Sequence, residues 1–320
     1  MKGLLLALAI ASCGHRSKAI VDAAPDATLD ASGDAPGDAI EASTDATDEP
    51  DVHRVELPRG GREIFPKYRL VGFCGTPGAK NLGRLLGNLT TRAKEIESYG
   101  DQYAKDRTAL PVFELIAVVA TGLPGLDGKS RRRVPDKTID DYLQAARDAR
   151  AILLLNIQPG HSDFVTEVHH FENYLKEPDV GLALDPEWAM PEKSKEAPGT
   201  RFGYMSAATL NEIGAYLADI VKQNDLPEKV LVFHQVNTWV FKEDSSIEAH
   251  DGVVIVKSVD GLGQKDTKIK TYNALVAHMP STVHAGFKLF FDEDTANHNR
   301  LMTPEQVLGL TPVPEYVMYE

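Results

Sequence analysis

Residues 181–188 read GLALDPEW, an apolar run ending in two carboxylates, Asp185 and Glu187, with a proline between them and Trp188 behind. In a strand, side chains alternate between faces, so Gly181, Ala183, Asp185 and Glu187 share one face and Leu182, Leu184, Pro186 and Trp188 the other. Two acids at i and i+2 on one face sit about 6–7 Å apart along the strand. Their repulsion raises the proton affinity of one of them, which prepares a general acid for cleaving a glycosidic bond. Glu187, the longer and outer group, is the expected acid, and Asp185 its helper. Asp260 or Asp292 would serve as nucleophile or second base. Trp188 either packs under a helix layer or, if the strand twists at Pro186, offers a sugar-stacking face.

Groups so far apart in sequence work together only if a scaffold collects them. Apolar runs at 68–73, 113–120, 151–157, 180–188, 229–235, 252–260, 283–291 and 315–319 read as strands. Helix-like segments at 81–104, 136–149, 162–175, 206–224 and 267–278 separate them, with shorter ones near 238–248 and 303–308. Asp136 and Ser206 stand where N-caps belong, and Pro304 suits a first helical turn. This α/β alternation predicts a (β/α)8 TIM barrel over residues 53–320. An open doubly wound sheet is less consistent, because no glycine-rich phosphate turn follows the first strand.

In such a barrel the chemistry sits at the C-terminal ends of the strands. Asn156 and Gln158, Asp185 and Glu187, His234 and Gln235, Lys257, Ser258 and Asp260, and Lys288 with Asp292 all fall there. Gln158, His234, Gln235, Lys288 and Trp188 are therefore expected to bind substrate. Glu114, early in strand two, is expected to close the barrel bottom through a salt bridge. Cys74 reads as a small buried residue at a strand end, and Arg131–Arg133 as a solvated loop.

The Asp185-x-Glu187 pair at the end of strand four resembles the catalytic motif of family 18 chitinase-type glycosidases and of family 25 lysozymes. That resemblance implies a barrel with Glu187 as acid and Asp185 as helper. The two earlier Asp positions of the family 18 pattern are Val180 and Ala183 here. Over residues 66–320 the chain more closely resembles secreted bacterial barrel proteins carrying segments like FELIAVVA, NIQPG, VGLALDPEW and FFDED.

The first residues resemble a lipoprotein signal: Lys2, the apolar run LLLALAIA, then IASC, so residues 1–12 would be removed and Cys13 lipidated. Residues 13–52 then form an Ala/Asp/Pro-rich tether, and its low hydrophobicity predicts disorder. Residues 22–51 hold ten acids and no base, so most of the net charge of −13 belongs to the tether. The folded part is only mildly acidic, which argues against nucleic acid as a partner. The expected partners are a carbohydrate or cell-wall polymer and, through the lipid on Cys13, a membrane at the cell envelope, the outer one in a two-membrane host. No cofactor or metal is expected. Two alternatives remain: a barrel that binds a glycan without turning it over, and a metal-dependent phosphoester or amide hydrolase using Asp185, Glu187, His234 and Asp260.

Overall fold

The computed structural model describes residues 54–191 and 193–320. The expected signal, Cys13 and the expected tether lie outside the described residues. The chain runs β1 (Tyr68–Gly75), α1 (Leu89–Tyr103), β2 (Thr108–Ala120), β3 (Arg131–Arg133), α2 (Asp136–Asp148), β4 (Ile152–Ile157), α3 (Phe164–His170), α4 (Glu172–Leu175) and β5 (Val180–Leu184). It continues α5 (Ala207–Gln223), β6 (Lys229–Gln235), β7 (Val253–Val259), α6 (Lys265–Val276), β8 (Val283–Leu289), α7 (Pro304–Leu308) and β9 (Tyr316–Tyr319). Eight strands pair in parallel in the order β1, β2, β4, β5, β6, β7, β8, β9, and β9 pairs back onto β1 to close the ring. β3 adds an antiparallel arm to the far end of β2. The fold is a (β/α)8 TIM barrel.

Strand alternation divides the core in two. Leu70, Leu110, Val112, Leu154, Ala183, Val230, Val232, Val254, Val256 and Met318 fill the barrel interior. The alternate residues, such as Phe73, Phe113, Leu153, Leu155, Leu182, Leu231 and Phe233, pack outward under the helices. Interior parity therefore assigns Glu114, Asn156, His234, Ser258, Lys288 and Tyr316 to the lumen.

Several expected boundaries move. Strand four ends at Leu184 rather than at 188, because Pro186 has no N–H for the ladder and instead starts a 3₁₀ turn, Pro186–Trp188. The first helix begins at Leu89, capped by Asn88, after Gly83 and Gly87 adopt positive φ. Asp136 is the first helical residue, with Pro135 at the N-cap, whereas Ser206 caps α5 by accepting from Thr209 N. The 162–175 segment divides into α3 and α4 at Phe171, and 238–248 holds only the 3₁₀ turn Asp244–Ser246. Pro304 occupies the first turn of α7 beside a capping box from Thr303 and Gln306.

Candidate functional site

The lumen of an ordinary barrel is apolar in its middle layers. Here β2 contributes Glu114, which is fully buried. A buried carboxylate needs partners, and it has three. The Tyr316 hydroxyl on β9 donates to Glu114 Oε2. Asn156 Nδ2 on β4 donates to Glu114 Oε1 at 3.0 Å, and His234 Nε2 on β6 lies 3.2 Å from the same oxygen. Glu114 thus belongs to the centre of the site rather than to a salt bridge at the barrel floor.

Asp185 follows β5 and points inward. Its Oδ1 accepts from Asn156 Nδ2 and its Oδ2 from Gln158 Nε2, both at 3.0 Å. Asn156 consequently bridges Glu114 and Asp185 through one amide nitrogen. Across the lumen, Asp260 Oδ2 lies 2.8 Å from His234 Nδ1, and Asp260 Oδ1 accepts from Ser258 Oγ at 2.7 Å. Lys288 Nζ on β8 stands 3.4 Å from Asp260 Oδ2 and 2.6 Å from Glu320 Oε2, and Cys74 Sγ donates to that Glu320 oxygen.

The charges in this network set one another. Burial opposes ionisation of Glu114, but His234 and Lys288 hold its carboxyl below the usual range. The same cations overcome burial at Asp260 and bring it down to about 2. Burial would neutralise His234, yet Asp260, Glu114 and Asp185 hold its ring protonated well above the ordinary histidine value. Burial pushes Asp185 upward against the pull of His234 and Lys288.

Glu187 differs from all of these. Burial of its carboxyl, with the negative charge of Asp185 and Asp260, lifts its proton affinity well above an ordinary glutamate. The residue keeps some solvent exposure, but its Oε2 is sealed and meets no hydrogen-bond partner. Asn156 Oδ1 and His234 Nε2 are also buried without a well-aligned partner. A carboxyl of raised proton affinity therefore stands beside Asp185, Asp260 and His234 at the C-terminal end of a barrel, an arrangement that can donate a proton to a leaving oxygen.

The structure thus collects Asp185, Glu187, Asp260, His234, Lys288 and Gln158. It does not bring in the others. Asp292 is exposed on the turn after β8, where the buried acid is Asp294, bound to Lys268, Gly263 N and Phe290 N. Gln235 neighbours the inward His234 and so faces away, donating to the carbonyls of Asn237 and Phe241. Lys257 points outward to Asp244 and Leu275 O for the same reason. Trp188 is half-buried in the 3₁₀ turn against Gly199. Among the described residues no group of three or more His, Cys, Asp or Glu side chains is arranged to hold a metal ion.

Fold and site together define a TIM barrel with a charged, hydrogen-bonded centre at its C-terminal end. No protein-family model matches the chain, and no curated protein does. Among solved structures, a tri-modular GH5 (subfamily 4) endo-beta-1,4-glucanase from Bacillus licheniformis is similar at 10% identity and a TM-score of 0.40, over 78% of this chain. The chain spans about half of that structure's length, 54%.

Proposed function

We propose that this barrel cleaves glycosidic bonds in a cell-envelope glycan, with Glu187 as general acid and Asp185 as its helper. One observation carries the reading: Glu187, placed by the 3₁₀ turn at the C-terminal end of the barrel, has a carboxyl oxygen that is buried without a partner, while burial and the charges of Asp185 and Asp260 raise its proton affinity. Buried polar atoms in folded proteins are nearly always satisfied, so Glu187 Oε2 and Asn156 Oδ1 await hydrogen-bond donors or acceptors from outside the chain. Sugar hydroxyls and a glycosidic oxygen supply both. Lipidation at Cys13 would hold the domain at the membrane near such a polymer.

A second reading has its own support. Both oxygens of Asp185 and both of Asp260 take hydrogen bonds from neighbouring side chains, so each carboxylate is fixed in the lumen as a hydrogen-bond acceptor. A barrel that holds a glycan without cleaving it fits that geometry. The metal-dependent reading has less support, because among the described residues no group of three or more His, Cys, Asp or Glu side chains is arranged to hold a metal ion.

The test is to incubate the protein and its Glu187→Gln variant with peptidoglycan and a panel of polysaccharides, following reducing ends and, by calorimetry, binding. Turnover that the variant lacks supports hydrolysis. Binding without turnover by either protein selects the second reading, and neither binding nor turnover overturns both.

A further inference from the structure

Six exposed large apolar side chains lie on the loops that follow the barrel strands at the site's end of the fold: Leu123, Leu126, Phe202, Tyr204, Trp239 and Leu262. Five of them share one structure. The arm carrying Leu123 and Leu126 closes through Thr121 N to Ser130 O. Gly160, after β4, adopts positive φ and presses its backbone onto Ser130 O, where any Cβ would collide. Met190 N then donates to Gly160 O, Tyr204 N to Ala189 O, and Met205 N to Val240 O, next to Trp239. Backbone hydrogen bonds, with the Gly160–Ser130 packing contact and Lys129 Nζ donating to His161 O, therefore carry a ledge above β2, β4, β5 and β6, across roughly 14 Å at the ~4.8 Å spacing of neighbouring strands. The ledge joins the site directly, because Gly203 N donates to Glu187 O at 2.7 Å.

From this we infer that the bound glycan is a linear, uncharged polysaccharide lying along the ledge, with several of its sugar rings held at once. The inference rests on the glycan reading of the site. Three rings, Phe202, Tyr204 and Trp239, offer flat apolar faces of the kind that cover the C–H face of a sugar. They are set among polar groups: the Tyr204 hydroxyl donates to Glu243, and Lys242 Nζ covers the Trp239 ring at 4.6 Å from its centroid. The loops at 121–130, 186–206 and 236–248 together hold seven acids and five bases, so the ledge carries no basic field to draw an anionic polymer or an anionic lipid surface. A ledge longer than one sugar ring rewards each further ring that reaches it.

The test uses the full chain carrying Glu187→Gln, titrated calorimetrically with neutral β-1,4-linked glucose, xylose and N-acetylglucosamine oligomers of two to six units. At least one series is expected to gain tenfold or more in affinity from the shortest to the longest member. Trp239→Ala and Phe202→Ala, each added separately to exposed positions, are expected to flatten that gain. Equal affinity at every length, or a gain that both variants keep, overturns the ledge while leaving the glycan reading standing. Absence of binding by every oligomer, together with absence of turnover of any polysaccharide by the native chain, overturns both. Trp239-dependent binding to phosphatidylglycerol vesicles in place of oligomers assigns the ledge to lipid and also overturns it.

Discussion

His234 and Asp260 form a buried pair, Nδ1 to Oδ2 at 2.8 Å, with neither side chain open to solvent. The pair makes stability depend on pH in a defined direction. The raised value of His234 means that its contribution is complete below about pH 6.5 and is lost as pH rises through the folded value. Asp260, lowered to about 2, contributes above about pH 4 and loses its contribution as pH falls toward that value. Asp260→Asn is expected to cost about 3–5 kcal/mol between those limits, because it strands a buried cation. Urea unfolding of both proteins from pH 3 to 9 checks this, and a difference independent of pH would refute it.

Glu187 is expected to lose stability in the same direction of pH as His234 and in the opposite direction to Asp260. Its folded value is raised, so the folded state holds a proton that the unfolded chain gives up, and stability declines as pH rises from about 4.5. Glu187→Gln should remove that decline and stabilise the protein at neutral pH by about 1 kcal/mol, or roughly 2–4 °C. A melt lowered by the same amount would instead give Glu187 an architectural role.

Glu167 on α3 is fully buried and binds two arginines of the β3 arm, Arg131 Nε at 2.8 Å and Arg133 Nε at 2.7 Å. Arg131–Arg133 is therefore a pinned strand, in contrast to the solvated loop that its run of charge suggests. Glu167→Ala is expected to cost about 2–3 kcal/mol and to speed hydrogen exchange at residues 118–134. Exchange there that stays as slow as in the native protein would show that the β2 pairing alone holds the arm.

Lys229 sits at the start of β6, buried, with Nζ donating to the carbonyls of Glu177 and Val180 at 2.8 Å. Burial brings it down to about 7. Above that pH the folded state holds a neutral amine while the unfolded chain stays protonated up to about 10.4, so stability should rise with pH across this window. Lys229→Met should lose this slope. Urea midpoints at pH 7, 8.5 and 10 give the comparison, and parallel profiles for the two proteins would dispose of the idea.

Much of the scaffold was legible because parallel barrel strands are short apolar runs, and all eight announce themselves in the sequence. The ends were harder to read. Alternation holds only while the ladder holds, and Pro186 ends it one residue after Asp185, so a turn rather than strand parity positions Glu187. Parity also separates neighbours that composition lumps together, His234 inward and Gln235 outward. Glu114 could have been found: an acid in the otherwise apolar run VFELIAVV, in step with Leu110 and Val112, has to meet a partner inside. Tyr316 gave no comparable sign, since a tyrosine in a strand is ordinary.

The hydroxyl that Tyr316 donates to Glu114 comes from 202 residues further along the chain, on the strand that closes the ring. No nascent fragment that stops short of β9 can satisfy Glu114 in this way. A chain in which β9 has not yet paired therefore carries an acid in an apolar run with that partner missing. Closure of the ring and satisfaction of Glu114 by Tyr316 are one event.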